Sequence, residues 1–145
     1  MSWLYLLLVA LAGTALALQA PINAQLARWL EHPVRSSMVS FTVGALSLFV
    51  LTLFWGRWPG LNKLQEAPPW VWAGGLLGAF YVTVIILATP RIGATATFAL
   101  VIAGQLSASI LMDHFGVLGL PKHPADWMRL LGVGFLVLGA LLIRR

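Results

Sequence analysis

The sequence predicts an all-α membrane protein, a bundle of five transmembrane helices in one domain. Two observations carry this prediction. First, 60% of the 145 residues are hydrophobic and only 9% are charged, whereas a soluble domain carries roughly 25% charged residues. Second, five apolar segments are each long enough to cross a bilayer core, which needs about 20 residues. We place the spans at residues 3–27, 34–55, 70–89, 92–114 and 126–143.

The tryptophans support these boundaries. An indole ring prefers the headgroup level, where its ring is in the apolar layer and its N–H is hydrated. All seven fall at or near a predicted helix end: Trp3, Trp29, Trp55, Trp58, Trp70, Trp72 and Trp127. We expect the first span to be retained, because its apolar stretch is longer than a signal-peptide core of roughly 7–15 residues and lacks a charged start.

Several function classes are disfavoured by composition. The chain has no cysteine, which excludes disulfides and thiolate metal sites. Its net charge of +5 comes from basic residues scattered over the loops, without the basic stripe of a nucleic-acid binder. His32, His114 and His123 are not spaced as metal ligands. No catalytic triad or carboxylate pair is present, so we expect neither an enzyme nor a cofactor.

The loop charges are nearly balanced across the membrane. With five spans, the side of the amino terminus (side one) has four basic residues: Arg57, Lys63, Lys122 and Arg129. The opposite side (side two) has five: Arg28, Arg35, Arg91, Arg144 and Arg145. Orientation normally follows an excess of lysine and arginine on the cytoplasmic side. Two interpretations stay open: one orientation set by another feature, or dual topology with copies pairing as an antiparallel homodimer.

Polar side chains in the first span form a candidate site. Gln19 and Asn23 are four residues apart and therefore share a helix face. Pro21 lies between them and frees a backbone carbonyl about one turn earlier. This spot is either a kink held by interhelical hydrogen bonds or part of a substrate site on a broken helix.

Small residues in the middle spans favour close helix packing or a hinge. They are Ser36, Ser40, Gly44 and Ser47 in the second span, Gly74, Gly75 and Gly78 in the third, and Gly104 in the fourth. Tyr81 lies farther along the third span. We expect its hydroxyl either to face a central cavity or to donate a hydrogen bond to a neighbouring carbonyl.

The fourth span carries Gln105, Ser109 and Asp113 on one helix face. Asp113 is the one acid that borders the apolar part of a span, near side one. It is either a helix-end carboxylate paired with an arginine or a site that couples transport to a proton or cation. An antiparallel partner would bring its own Arg28, Arg35 and Arg91 to the same face, which makes a salt bridge across the dimer possible.

Three segments resemble a known family. Gln19-Ala-Pro21-Ile-Asn23-Ala-Gln-Leu26, Gly74-Gly75-Leu-Leu-Gly78-Ala-Phe-Tyr81 and Gly104-Gln105 continuing to Asp113-His114-Phe115-Gly116 are similar to the five-helix YdcZ-type family of the drug/metabolite transporter (DMT) superfamily. The resemblance implies an exporter of the bacterial inner membrane. Because some members are fused pairs, whose second half is inverted, it also favours antiparallel pairing. The buried first-helix glutamate of the small multidrug transporters has no counterpart here.

These observations lead to two functional hypotheses. The first is a secondary transporter that exports small metabolites or amphipathic compounds by alternating access, as a dual-topology homodimer in the lipid bilayer. Its substrate site would contain Gln19, Asn23, Tyr81, Gln105 and Ser109, with Asp113, Arg35 and Arg91 coupling or gating. The alternative is a non-transporting scaffold or assembly subunit of a membrane complex.

Overall fold

A computed structural model describes residues 3–54 and 60–143 of the chain. All regular elements in these residues are helical. They are α1 (Trp3–Trp29), α2 (Pro33–Phe54), α3 (Leu61–Glu66), α4 (Ala73–Ile92), α5 (Ala94–Phe115) and α6 (Trp127–Ile143), with short 3-10 turns at Pro69–Trp72 and Val117–Gly119. Five of the helices match the five predicted spans to within about three residues, which confirms the all-helical membrane fold.

Among the described residues, four helices are long and apolar enough to cross a membrane: α1, α2, α5, and α4 together with the 3-10 turn before it. The fifth, α6, is equally apolar but has 17 residues, which corresponds to about 25 Å at 1.5 Å per residue. Large apolar side chains along the helices are exposed, such as Leu46 at 60% and Phe135 at 70%. Apolar surface on this scale is expected where the surrounding solvent is lipid.

The tryptophans of the described chain lie at helix ends, as predicted. Trp3 and Trp29 are the first and last residues of α1, and Trp127 begins α6. Trp70 and Trp72 are in the 3-10 turn before α4. All five indoles are more than half exposed, which suits rings at the headgroup level. The predictions for Trp55, Trp58, Arg57, Arg144 and Arg145 lie outside the described residues.

Two boundaries differ from the prediction. The polar loop expected over residues 56–69 contains α3, whose Lys63, Leu64, Gln65 and Glu66 have high helix propensity. It ends at Glu66, and the next residue, Ala67, is extended because Pro68 follows it. In addition, α4 continues through Pro90 to Ile92, since proline in the last turn removes only one donor. The positive φ of Gly93, 82°, then separates α4 from α5.

The chain divides between Pro90 and Arg91 into two compact units. In the first unit α1 packs against α2, and in the second α5 packs against α6. The turn that joins α1 to α2 and the turn that joins α5 to α6 are both well defined. Val34 N–H donates to His32 Nδ1 at the start of α2, whereas α5 ends at Gly116, in the left-handed conformation typical of a helix C-cap. The organisation as a single transmembrane domain stays a prediction.

Candidate functional site

In the first unit, a small cleft between α1 and α4 brings together three of the predicted site residues. Gln19 and Asn23 reach it from α1, and Tyr81 reaches it from α4. Its volume is about 10 Å³, close to the minimum that holds one ordered water. The other lining residues are aliphatic: Leu16, Ala20, Val82, Ile85 and Ile86. The cleft thus combines hydrogen-bonding groups with apolar walls and contains no ionisable acid or base other than the phenol.

The α1 side of the cleft follows from helical spacing. Asn23 is 4% exposed, and Ala20 and Ala24 beside it are also buried. Small residues at these positions let α2 approach, and the Ser36 hydroxyl donates a hydrogen bond of 2.7 Å to the Asn23 backbone carbonyl. Gln19, one turn earlier, is exposed. The helix is continuous through Pro21, so the Gln19–Asn23 face is presented by an unbroken helix.

The Tyr81 hydroxyl is buried and has no hydrogen-bond partner among the described residues. The hydroxyl of Thr89, two turns farther along α4, is in the same situation. A buried hydroxyl without a partner typically costs about 1–3 kcal/mol, and the large majority of buried polar groups in folded proteins have a hydrogen-bond partner from the protein or from ordered water. The Tyr81 hydroxyl is therefore available to a polar group that enters the cleft.

Sequence reasoning missed a second polar contact in this unit. The hydroxyls of Ser37 in α2 and Thr83 in α4 are 2.9 Å apart. Each hydroxyl also lies within hydrogen-bond distance of a carbonyl one turn earlier in its own helix, that of Pro33 for Ser37 and that of Ala79 for Thr83. Because a hydroxyl has a single hydrogen, one of the two donates to the other hydroxyl and the other donates to its carbonyl. The signal was present in the sequence, since Ser37 adjoins the small-residue stripe of α2. The pair joins α2 to α4 beside the cleft and is one of the few polar links between helices in the described chain.

In the second unit, Asp113 forms an ion pair with Arg129. Arg129 Nη1 lies 3.3 Å from Asp113 Oδ2, and both side chains are about one third exposed. The loop between the helices folds onto this pair: His123 N–H donates to the Asp113 carbonyl, and Arg129 N–H donates to Asp126 Oδ1. Asp113 thus has the arginine partner that one of the two interpretations expected. Arg129 itself was not among the predicted site residues.

Ser109 and Asp113 lie together in a groove between α5 and α6. Gln105, predicted on the same face, is exposed and lines neither the groove nor the cleft. Arg35 donates from Nη1 to the Leu30 carbonyl, 3.1 Å away, and so closes the turn between α1 and α2. Arg91 lies in the last turn of α4. A salt bridge from these arginines to the Asp113 of another copy stays a prediction.

Among the predicted packing glycines, Gly78 has a close neighbour. A Cβ placed there would lie 3.3 Å from Phe41 Cζ of α2, so the absence of a side chain permits this contact. A Cβ at Gly44, Gly74, Gly75 or Gly104 would meet nothing within 4 Å. The packing or hinge roles of those four positions stay predictions. In the part of the chain that the structure describes, no three metal-ligating side chains are grouped.

Comparison with known proteins places the chain in a family. Residues 4–142 match the family described as "Putative inner membrane exporter, YdcZ". The chain is 27% identical over 136 residues to inner membrane protein YdcZ of Escherichia coli (strain K12), an alignment that covers 92% of this chain and 90% of the relative. No solved structure matches it significantly. The match is to a transporter family rather than to an enzyme family, and the chain belongs to the YdcZ family of inner-membrane exporters.

Proposed function

We propose that this protein is a secondary transporter that exports small metabolites or amphipathic compounds by alternating access. The observation that carries the proposal is the cleft of the first unit, where Gln19, Asn23 and Tyr81 converge. Amides and a phenol orient a solute by hydrogen bonds, and the aliphatic walls accept its apolar part. A site without a buried carboxylate or ammonium group favours solutes that are neutral or carry no strong net charge.

The size of the cleft supports a closed arrangement. A volume near that of a single water admits a larger solute only when α1 and α4 separate. Helices that part on one side of the membrane and then on the other are the general scheme of alternating access. The open glycine positions Gly74 and Gly75, before Tyr81 in α4, leave room for such a movement.

The second part of the proposal is an antiparallel homodimer of dual topology. It is supported by the near balance of basic residues between the two sides, four against five, and by the odd number of spans. Two copies in opposite orientations form an inverted repeat, the arrangement on which many transporters are built. Asp113 of each copy would then lie on the same membrane face as Arg28, Arg35 and Arg91 of the other.

Transport is tested with purified protein in liposomes. Vesicles are loaded with a defined mixture of amino acids, polyols and nucleosides, and counterflow of each compound is measured by mass spectrometry. We expect saturable flux of at least one compound, reduced at least about tenfold in Asn23→Ala, since a lost hydrogen bond to a bound solute has this order of effect. Ser47→Ala, an exposed position on α2, is the matched control. Flux that is absent for every compound, without ligand-dependent stabilisation, would favour the scaffold alternative.

Topology is tested separately, in intact cells. Because the native chain has no cysteine, a single introduced cysteine is the one site that a thiol reagent can label. Gln65→Cys is placed in α3 and Trp29→Cys at the end of α1, both exposed positions predicted on opposite sides. Labelling of each by an impermeant maleimide in about half of the molecules is expected for dual topology. Complete labelling of one and none of the other would exclude the antiparallel dimer but leave the transport proposal intact.

A further inference from the structure

The groove between α5 and α6 is lined by residues of the second unit, none of which lines the cleft in which solute is proposed to bind. Its volume is about 290 Å³, near the lower end of small-molecule sites. The residues that line it are mainly apolar: Leu106, Ile110, Gly132, Val133 and Leu136. An apolar groove of this volume accommodates a flexible hydrocarbon chain.

The groove has both charges of an ion pair at one end. Asp113 and Arg129 both line it, and their side chains are 31% and 38% exposed. They meet in a single contact, between Arg129 Nη1 and Asp113 Oδ2, and Arg129 Nη1 also donates to the His123 carbonyl, 3.4 Å away. A carboxylate accepts several hydrogen bonds and a guanidinium has five donors. The pair therefore retains capacity to bind an ammonium group on Asp113 and an anionic oxygen on Arg129 at the same time.

The polarity changes along the helix axes in the direction expected of a lipid. Asp113 is two residues before the end of α5, and Arg129 is two residues after the start of α6. Trp127, which begins α6, is 67% exposed and marks the headgroup level. Leu106 and Leu136 are each seven residues deeper, about 10 Å at 1.5 Å per residue. The charges are at the membrane surface and the apolar end is inside.

We propose that this groove binds a zwitterionic phospholipid of the ethanolamine type. The phosphate binds Arg129, the primary ammonium binds Asp113, and one acyl chain lies between α5 and α6. Asp113 disfavours a lipid with an anionic headgroup, and a quaternary choline has no N–H to donate to the carboxylate. Ser109, one turn deeper than Asp113, is at the level of the acyl ester. The proposal goes beyond transport, because the lipid stays bound as a structural or regulatory ligand.

The test is native mass spectrometry of the full chain, delipidated in detergent and then mixed with one defined lipid. The lipids are dioleoyl phosphatidylethanolamine, phosphatidylcholine and phosphatidylglycerol, and glycerophosphoethanolamine serves as the headgroup without acyl chains. We expect one ethanolamine lipid per chain, bound at least about tenfold more tightly than the other three compounds. Arg129→Gln and Asp113→Asn should abolish this preference, whereas Arg28→Gln, an exposed arginine of the other unit, should not.

A second pair of variants probes the groove without changing its charges. A Cβ at Gly132 or at Gly134 meets nothing within 4 Å, so the two positions are matched at the first atom of an added side chain. Only Gly132 lines the groove. Gly132→Leu is expected to lower ethanolamine-lipid binding at least about tenfold, and Gly134→Leu to leave it unchanged. Three results would each overturn the proposal. They are equal binding of all lipids, unreduced lipid binding by Gly132→Leu, and a dimer that forms without lipid and excludes it. Flux is not measured, so failure here leaves the transport proposal standing.

Discussion

The Ser36 hydroxyl donates a hydrogen bond of 2.7 Å to the backbone carbonyl of Asn23, and this bond joins α2 to α1 directly behind the cleft. Ser36 is fully buried and Asn23 is 4% exposed. The bond thus holds the backbone of a candidate substrate-binding residue through a side chain that does not line the cleft. It illustrates how polar groups within a membrane are used in pairs.

Replacing Ser36 with alanine should destabilise the protein modestly. The Asn23 carbonyl loses one of its two hydrogen bonds but keeps the one within the helix, so we expect a cost of about 0.5–1.5 kcal/mol. Thermal unfolding in detergent measures it. Ser47→Ala is the control, since that hydroxyl bonds only the Val43 carbonyl of its own helix and is exposed. Equal melting temperatures for the two variants would contradict the interhelical role of Ser36.

The contact of Gly78 with Phe41 gives a second prediction. A Cβ at Gly78 would lie 3.3 Å from Phe41 Cζ, and a longer side chain would press against that ring. Gly78→Leu should therefore cost about 1–3 kcal/mol through overpacking. Gly74→Leu, one turn earlier on α4 with open space at its Cβ, should change stability by less than about 0.5 kcal/mol. The double variant Gly78→Leu with Phe41→Ala should recover part of the loss, and failure to recover any of it would place the clash elsewhere.

Tyr81→Phe should separate stability from activity. Its hydroxyl has no partner among the described residues, so removing it should leave the melting temperature unchanged or raise it slightly. If the hydroxyl binds the transported solute, counterflow falls about tenfold. Tyr5→Phe, on the exposed face of α1, controls for the general loss of a phenol. A large loss of stability together with unchanged flux would assign Tyr81 to the fold instead.

Asp113 gives a prediction about coupling. In a coupled transporter, neutralising the coupling carboxylate prevents uphill accumulation but permits exchange of solute down its own gradient. Asp113→Asn in proteoliposomes should thus retain counterflow and lose accumulation driven by a proton gradient. Asp126→Asn, which preserves an oxygen for the Arg129 N–H, is the control. If gradient-driven accumulation survives in Asp113→Asn, Asp113 has no coupling role and its ion pair with Arg129 is its remaining interaction.

The ion pair itself should contribute little to folding. Both side chains are about one third exposed and meet at 3.3 Å through one nitrogen. Exposed pairs of this kind couple by about 0.2–1 kcal/mol. A double-mutant cycle of Asp113→Asn and Arg129→Gln, read from thermal unfolding, tests this. A coupling of several kcal/mol would mean that the pair is less accessible to water than its exposure indicates.

Sequence alone determined the fold class and the positions of the long apolar helices, and it predicted three residues that line one cleft. Runs of about 20 apolar residues are recognised directly in the sequence. A lipid bilayer requires them, however the helices are arranged in the tertiary structure. The face shared by Gln19 and Asn23 followed from helical periodicity, and the ends of the spans followed from tryptophans. The sequence predicted α3 less well, because residues 61–66 are polar enough for a loop and also have high helix propensity.

Only the tertiary structure decided which helices meet and which polar groups are partnered. That Tyr81 of α4 joins Gln19 and Asn23 of α1, that Ser37 meets Thr83, and that Arg129 is the partner of Asp113 depend on contacts between segments far apart in the chain. Periodicity gives the face of a helix but not its neighbour, because every apolar face is equally satisfied by lipid. Packing between small residues and hydrogen bonds between helices make that choice, and neither is visible one helix at a time.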